Sequence, residues 1–124
     1  MDKYQKGLEV VKEHLSPHQI EAIEEISPYL KDLVIEYGMD EIYARKGLDQ
    51  KSRKIATIAS LITSGNTPQI KWHISGGLDS GVITKEEVEE VIIQMVLYIG
   101  FPQTLNAMKV AKEVFKKKGL ANRN

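Results

Sequence analysis

The sequence predicts an all-α domain of about six helices, on three observations. Apolar residues recur at three- and four-residue spacing along almost the whole chain, the period of a helix with one buried face. Serine, threonine, aspartate and proline interrupt this pattern where helices can begin. No segment alternates polar and apolar residues for long, and no hairpin dipeptide separates two β-rich runs. The chain of 124 residues fits one domain, 1–124, which can bury roughly 65% of the surface of the unfolded chain.

The first apolar stripe is formed by Tyr4, Leu8, Val11 and Leu15. It stops at Ser16 and Pro17, where Ser16 can cap a second helix with Gln19 as its capping-box partner. Pro28 removes one backbone donor and clashes with the preceding turn. The segment 20–37 is therefore expected to form two helical pieces or one kinked helix.

Two glycines, Gly38 and Gly47, are expected to bracket a further short segment. Asp49 is a suitable N-cap for the third main helix, which Gly65 should end. Its apolar stripe consists of Ile55, Ile58, Ala59 and Ile62.

The second half of the chain predicts three more helices. Thr67 and Pro68 open the fourth, and a capping box at Thr84–Glu87 opens the fifth. Gly100 should stop the fifth helix, and Pro102 can begin the sixth in its first turn. One face of the sixth helix is predicted from Leu105, Met108, Ala111 and Phe115.

The fifth helix is apolar around most of its circumference, beyond the width of an ordinary buried stripe. The residues concerned are Val88, Val91, Ile92, Ile93, Met95, Val96, Leu97 and Ile99. Such a helix must be covered on nearly all sides, either by a subunit interface or as a central helix within one chain. We favour a homo-oligomer.

Composition excludes several classes of protein. The formal charge is zero, with 17 basic and 17 acidic residues, so no global field attracts nucleic acid or an anionic membrane. No uninterrupted apolar run is long enough for a membrane span, and the N-terminus lacks the apolar run of a signal peptide, so we expect a cytoplasmic protein. The absence of cysteine excludes thiol chemistry, and the three histidines lack metal-ligand spacing, so we expect no metal and no cofactor.

His73 is the principal candidate for proton transfer. On the fourth helix it shares one side with Asn66, Gln69 and Gly77, at the edge of the stripe formed by Ile70, Ile74 and Leu78. The pair Gly76 and Gly77 costs roughly 1 kcal/mol of helix propensity per residue and permits close approach of another backbone or of a ligand. The alternative is that His73 only hydrogen-bonds a neighbouring helix, and its spacing does not decide between the two.

A cluster of positive charge lies just upstream of that region. Residues 45–54 carry a net excess of four positive charges, from Arg45, Lys46, Lys51, Arg53 and Lys54 against Asp49. Such a cluster can hold a carboxylate, for which arginine is the better bidentate partner. The alternative is a solvated start of a helix.

Five segments together resemble the carboxymuconolactone decarboxylase family, over about residues 37–114. They are Gly47–Arg53, Ile55–Ala59, Lys71–Val82, Glu86–Val91 and Tyr98–Pro102. The resemblance implies an all-α fold and an oligomer, a hexameric ring for the decarboxylase and trimers or hexamers for its alkylhydroperoxidase relatives. Those relatives use a Cys-x-x-Cys pair, which this chain replaces with Asn66 and Gln69. Thiol-dependent peroxide reduction needs a thiolate and is therefore not expected.

The decarboxylase branch removes carbon dioxide from a carboxylated unsaturated lactone without a cofactor. The resemblance implies that His73 transfers the proton as the catalytic residue, because the negative charge left on the lactone must be stabilised and then protonated on carbon. Substrate-binding roles are predicted for Arg45, Arg53, Lys54, Gln69 and Tyr98. The tyrosine is equally well explained by packing.

One position departs from the family pattern. Many family members have a glutamate where this chain has Lys54, and in the redox relatives that glutamate serves the proton relay. The reversed charge implies either anion binding or loss of the ancestral chemistry. Two hypotheses follow: a decarboxylase of a small carboxylated lactone or related acid, or a non-catalytic small-ligand-binding or assembly protein on the same scaffold.

Overall fold

The computed structural model describes residues 2–120, and within that range all regular secondary structure is helical. The elements are α1 (Lys3–Val11), α2 (Pro17–Ile26), α3 (Pro28–Leu33), a π helix (Val34–Tyr43), α4 (Gln50–Ser64), α5 (Thr67–Ser80) and α6 (Lys85–Lys117). The all-α prediction is confirmed.

The predicted helix boundaries depend on local caps, and these caps form. The Ser16 hydroxyl accepts from the backbone N–H of Gln19 at 3.2 Å, and the Gln19 side chain accepts from the Ser16 N–H at 3.0 Å. Thr84 and Glu87 form the same reciprocal pair at the start of α6. Gly65 ends α4 in the left-handed conformation, with φ of +71°. Because each cap satisfies backbone groups that a helix end leaves unpaired, sequence alone locates these ends.

The prediction that Gly38 bounds a segment is wrong. α2 ends before Pro28, as expected, but α3 continues directly into the π helix, which runs through Gly38 and ends at Tyr43. Gly38 has no positive φ, and a Cβ at this position would meet nothing within 4 Å. Helical backbone therefore passes through it at only the propensity cost of a glycine.

Gly100 breaks α6 as predicted, with φ of +81° inside an otherwise helical run. Pro102 follows in the first turn of the second half, where a missing N–H is tolerated. The predicted buried face of this half is partly wrong, because Leu105 is exposed. The buried positions are instead Thr104, Ala107, Val110, Ala111, Val114 and Phe115. Ala111 and Phe115 are buried as predicted, and the buried face extends from them toward Thr104, Ala107, Val110 and Val114 instead of Leu105.

The described residues form two apolar clusters. The larger one joins α4, α5 and α6 and includes Ile58, Ile74, Val88 and Phe115, all of them buried. The smaller one joins α1 to the π helix through Val11, Leu15, Ile35 and Met39. His14, in the connection between α1 and α2, faces α4 and α5 from the side of the smaller cluster. The candidate site lies between the two clusters.

α6 is only partly covered within the chain. Val88, Ile92 and Met95 are buried, whereas Ile93 and Leu97 are exposed. Among the described helices, α6 alone is long and apolar enough to cross a membrane. This is weak evidence for a membrane span, because core helices of soluble proteins pass the same test. The full cover expected for this helix is therefore not supplied by the described part of its own chain.

Candidate active site

Lys54 on α4 is fully buried, and it is the one buried lysine among residues 2–120. Its Nζ donates to the backbone carbonyl of His14 at 3.3 Å and lies 3.0 Å from Nδ1 of His73. Burial lowers the pKa of the Lys54 ammonium from 10.5 to about 7, because a charge loses its hydration there. Lys54 can therefore gain and lose a proton near neutral pH.

His73 on α5 is partly buried and neutral. Burial, followed by electrostatic repulsion between the protonated forms of His73 and of Lys54 and His14, lowers the pKa of His73 to about 3. A neutral imidazole next to an ammonium accepts through Nδ1, so its proton resides on Nε2. Nε2 is then the nitrogen left to meet a ligand, and it meets the ligand as a donor.

A third titratable group, His14, supports this pair from behind. Its Nε2 lies 2.5 Å from Oε1 of Gln50, whose amide nitrogen donates to the carbonyl of Tyr43 at 2.6 Å. The Tyr43 ring packs edge-on against the imidazole, with centroids 4.7 Å apart. Burial lowers the pKa of His14 to about 4 against the opposing effect of the Gln50 hydrogen bond. His14 is therefore a neutral structural group whose carbonyl orients Lys54.

Gly76 and Gly77 are each packed closely against other residues of the protein, and these residues differ between the two glycines. A Cβ on Gly76 would lie 2.1 Å from the carbonyl oxygen of His14, and one on Gly77 would lie 2.8 Å from Ile83 and 3.2 Å from the Lys54 side chain. The close approach expected from this pair is thus made by backbone and by Lys54. It brings His14 and Lys54 against α5.

His73 lines an open cavity of about 460 Å³ between α5 and the segment formed by α2, α3 and the π helix. Gln69 and Trp72 of α5 line it as well, with Tyr37 of the π helix. The main apolar lining residues are Ile23, Ile26, Leu30, Leu33, Val34 and Met39. The volume is typical of small-molecule sites, which are mostly apolar with a few convergent polar groups. π helices also occur often at functional sites.

The structure brings three of the six predicted site residues together. Lys54 contacts His73, and Gln69 lines the same cavity. Arg53 donates to the carbonyl of Arg45 at 2.8 Å and lines a different cavity, and neither arginine lines the cavity at His73. Tyr98 is largely exposed on α6. Within the described residues, the expected carboxylate-binding role of the arginines and of Tyr98 has no geometric support at this site.

Metal binding was not expected, and residues 2–120 contain no group of three or more His, Asp or Glu side chains arranged to hold an ion. The expectation that the protein uses no metal and no cofactor stays a prediction.

Comparison with known proteins identifies the scaffold. Residues 28–113 match the model of the carboxymuconolactone decarboxylase family. The chain belongs to this family. The matched range contains α3, the π helix, α4, α5 and α6 up to residue 113. It therefore includes Lys54, His73 and most of the cavity, whereas His14 lies outside it.

Relatives of this family member include two decarboxylases. The 4-carboxymuconolactone decarboxylase of Acinetobacter baylyi is 33% identical over 123 residues, covering 96% of this chain and 91% of its own. The nitrosuccinic acid decarboxylase of Metarhizium robertsii is 26% identical over 114 residues, covering 89% and 79%. An uncharacterised 15.0 kDa protein of Paracoccus denitrificans is 29% identical over 103 residues, covering 82% and 76%.

Two features of the site are not predicted from the sequence: the burial of Lys54 and the position of His14 next to it. The burial of Lys54 has a local signature, because Lys54, Ile58 and Ile62 follow one another at four-residue spacing on one helix face. The burial of His14 has a weaker signature in the sequence, which is its place next to Leu15 at the end of the first apolar stripe. The contact between His14 and Lys54 joins residues 40 positions apart and is not readable from spacing.

Proposed function

We propose that this protein is a cofactor-independent decarboxylase of a small carboxylated lactone or a related acid, with the cavity at His73 as its active site. The observation that carries the proposal is the contact between Lys54 and His73, which places a buried amine behind a neutral imidazole at an apolar cavity. Membership of the family and the names of the two decarboxylase relatives support the reaction class.

The two names describe acids with a shared chemical property. Each has an electron-withdrawing group, a lactone carbonyl in one and a nitro group in the other, that can accept the electron pair left behind by carbon dioxide. An enzyme for such acids must stabilise the resulting anion and then deliver a proton to carbon. No redox step and no external electron acceptor are required.

The Lys54–His73 pair can supply both requirements. As the carbon–carbon bond to the carboxylate breaks, the Lys54 ammonium offers the nearest positive charge in an apolar surrounding, where its effect is strong. His73 then transfers the Nε2 proton to the substrate carbon while its Nδ1 takes a proton from Lys54. Lys54 is left neutral, and the site resets when Nε2 of His73 takes a proton from water in the cavity while Nδ1 returns its proton to Lys54. The proton donor at neutral pH is therefore Lys54 acting through His73.

The experiment is release of carbon dioxide from 4-carboxymuconolactone, and separately from nitrosuccinic acid, by the purified protein. Loss of a positioned proton-transfer group costs about 100-fold or more, so His73→Gln and Lys54→Met should each lower turnover by that factor. His18→Gln on α2 and Lys51→Met on α4 are the matched controls, since both residues lie outside the cavity. If the protein releases carbon dioxide from neither acid, the proposal is refuted.

A second candidate function has its own observation. Lys54 has no exposed surface and does not itself line the cavity, an arrangement that also suits a lysine whose sole role is to hold His73 in one orientation. The cavity would then bind a small acid without chemistry. Saturable binding of either acid with no carbon dioxide released by the wild type would favour this function.

We further propose that the protein is a homo-oligomer, either a trimer or a hexamer. An exposed apolar stripe, defined by Ile93, Leu97, Phe101 and Leu105, runs along α6 on both sides of the break. Contiguous exposed apolar surface of this kind commonly marks an interface between proteins. Sedimentation velocity at micromolar concentration is the test, and a single monomeric species would refute it.

A further inference from the structure

Exposed apolar side chains are concentrated on two surfaces. Within residues 2–120, eleven of the thirteen large apolar side chains that are exposed lie either on residues 26–42 or on residues 93–105. The second group contains the α6 stripe. The first group contains four lining residues of the cavity at His73, here called the outer wall: Ile26, Leu30, Leu33 and Tyr37. In a single copy of the chain this side of the cavity therefore faces water with apolar groups, which are stabilised by leaving water.

The two surfaces also differ in charge. Residues 17–43, which contain the outer wall, carry seven acidic side chains and one lysine, a net charge of −6. Residues 105–118, which continue α6 beyond the stripe, carry five lysines and one glutamate, a net charge of +4. Lys109 is exposed one helical turn beyond Leu105, so part of this charge continues the stripe itself. Two outer walls would repel each other, whereas an outer wall and the α6 stripe are complementary.

The symmetry of the proposed oligomer requires such a pair of surfaces. In a trimeric ring each copy presents one surface to the next copy and receives the previous copy on a different surface, whereas a contact between two identical surfaces closes a pair. A trimer, or a hexamer built from trimers, therefore needs two complementary surfaces on one chain. The α6 stripe and the outer wall are apolar, exposed and opposite in charge.

We propose that the α6 stripe of one copy packs against the outer wall of a second copy and closes the cavity at His73. This inference rests on the proposed oligomer and uses the proposed active site. Each site is then made by two copies, one supplying Lys54 and His73 and the other supplying the apolar cover. Closure excludes water from the cavity, which strengthens the attraction between a bound acid and the Lys54 ammonium.

Complementation between two defective variants tests this pairing. Leu97→Glu places a charge in the stripe and leaves the outer wall intact, whereas Leu30→Glu does the reverse. Each variant alone should lose the wild-type assembly in sedimentation velocity, because the new carboxylate is desolvated in the contact. An equimolar mixture should form a complex that neither variant forms alone, since the intact stripe of one variant meets the intact wall of the other.

Leu48→Glu is the matched control for Leu30→Glu. Leu48 is 51% exposed and Leu30 is 49% exposed, but Leu48 belongs to neither surface. This variant should therefore sediment as the wild type does.

Cross-linking tests the same contact in the assembled protein. The chain contains no cysteine, so Leu30→Cys and Leu105→Cys each carry a single thiol. After the two variants have exchanged subunits at micromolar concentration, a bis-maleimide should join one to the other and should join neither variant to itself. Leu48→Cys mixed with Leu105→Cys should stay unlinked.

Four results would overturn the inference. A wild type that sediments as a monomer would overturn it together with the proposed oligomer. Wild-type assembly of Leu30→Glu, or a mixture of the two glutamate variants that forms no new complex, would overturn it alone. Cross-linking of Leu105→Cys to itself and not to Leu30→Cys would mean that two α6 stripes pack against each other.

Neither readout depends on turnover, so this inference and the proposed enzyme can fail separately. Complementation without carbon dioxide release from either acid would refute the proposed enzyme and leave the inference standing. Carbon dioxide release by the wild type, combined with wild-type assembly of Leu30→Glu, would do the reverse.

Discussion

Replacing Lys54 with methionine should change how the stability of the protein depends on pH. The pKa of Lys54 is about 7 in the folded protein and 10.5 when the side chain is in water. Between these values the unfolded chain binds a proton that the folded chain does not, so the free energy of unfolding rises with pH. Stability contributed by the neutral amine is fully present above 10.5 and is lost as pH falls to 7.

The magnitude follows from the width of that window. Each pH unit of differential proton binding is worth about 1.4 kcal/mol, so the wild type should gain about 2 kcal/mol from this group alone between pH 7 and pH 9. Lys54→Met lacks this titration and keeps most of the packing of the straight side chain. It also gives up the two hydrogen bonds to His14 and His73, at about 1 kcal/mol each.

The assay is urea denaturation at a fixed protein concentration across this pH range, comparing wild type, Lys54→Met and Lys51→Met. Lys51 lies on the same helix and is exposed, which makes it the matched control. The free-energy difference between Lys54→Met and wild type should shift by about 2 kcal/mol in favour of the wild type from pH 7 to pH 9. A difference that stays constant would refute the assignment of a low pKa to Lys54, and a shift of the same size in Lys51→Met would refute its origin in burial.

Three further predictions concern packing, capping and assembly. Gly76→Ala should destabilise the fold by at least ~2 kcal/mol in thermal unfolding, because the new Cβ meets the carbonyl of His14, whereas Gly47→Ala, with open space around it, should be close to neutral. Thr84→Ala should cost about 1 kcal/mol in urea denaturation, since it removes the cap of α6, and no loss would contradict the capping role. Leu97→Glu should dissociate the proposed oligomer in sedimentation velocity, because Leu97 is 76% exposed and central in the α6 stripe; an unchanged sedimentation coefficient would place the interface elsewhere.

Much of the fold was predictable because its determinants are local. Ser16, Asp49 and Thr84 each bond to a backbone group three residues ahead, so a cap can be recognised in four letters of sequence. The predicted helix boundary at Gly38 and the predicted burial of Leu105 are both wrong, and the reason for the first is clear from the backbone. A glycine ends a helix only if the backbone there adopts a conformation that other residues avoid, and Gly38 does not.

The candidate site was predictable only in part. The glycines and the apolar stripe on one helix draw attention to His73 but do not decide its role, and it is the family resemblance that predicts a catalytic histidine there. The sequence does not predict the contact between His73 and Lys54. The sequence treats the positive residues 45–54 as one group, either a carboxylate-binding cluster or a solvated start of a helix, whereas the structure separates them by burying Lys54 and leaving Arg45 exposed. The four-residue spacing of Lys54 with Ile58 and Ile62 places it on the buried face of α4, but the groups that it contacts there come from elsewhere in the chain. The cytoplasmic location and the absence of a cofactor stay predictions.

The pH dependence of turnover separates the chemical role of Lys54 from its effect on stability. If the Lys54 ammonium is the proton donor, kcat/KM should fall by about tenfold per pH unit above 7, since this parameter reports the pKa of the free enzyme. Over the same range the folded protein becomes more stable with respect to this group, so unfolding cannot produce the loss of activity. A rate that rises through pH 7 would instead mean that the neutral amine acts as a base, and a flat profile would leave Lys54 without a part in proton transfer. The positive charge at this position is thus consistent with decarboxylation, since a cation beside the relay stabilises the anion that a carboxylate would repel.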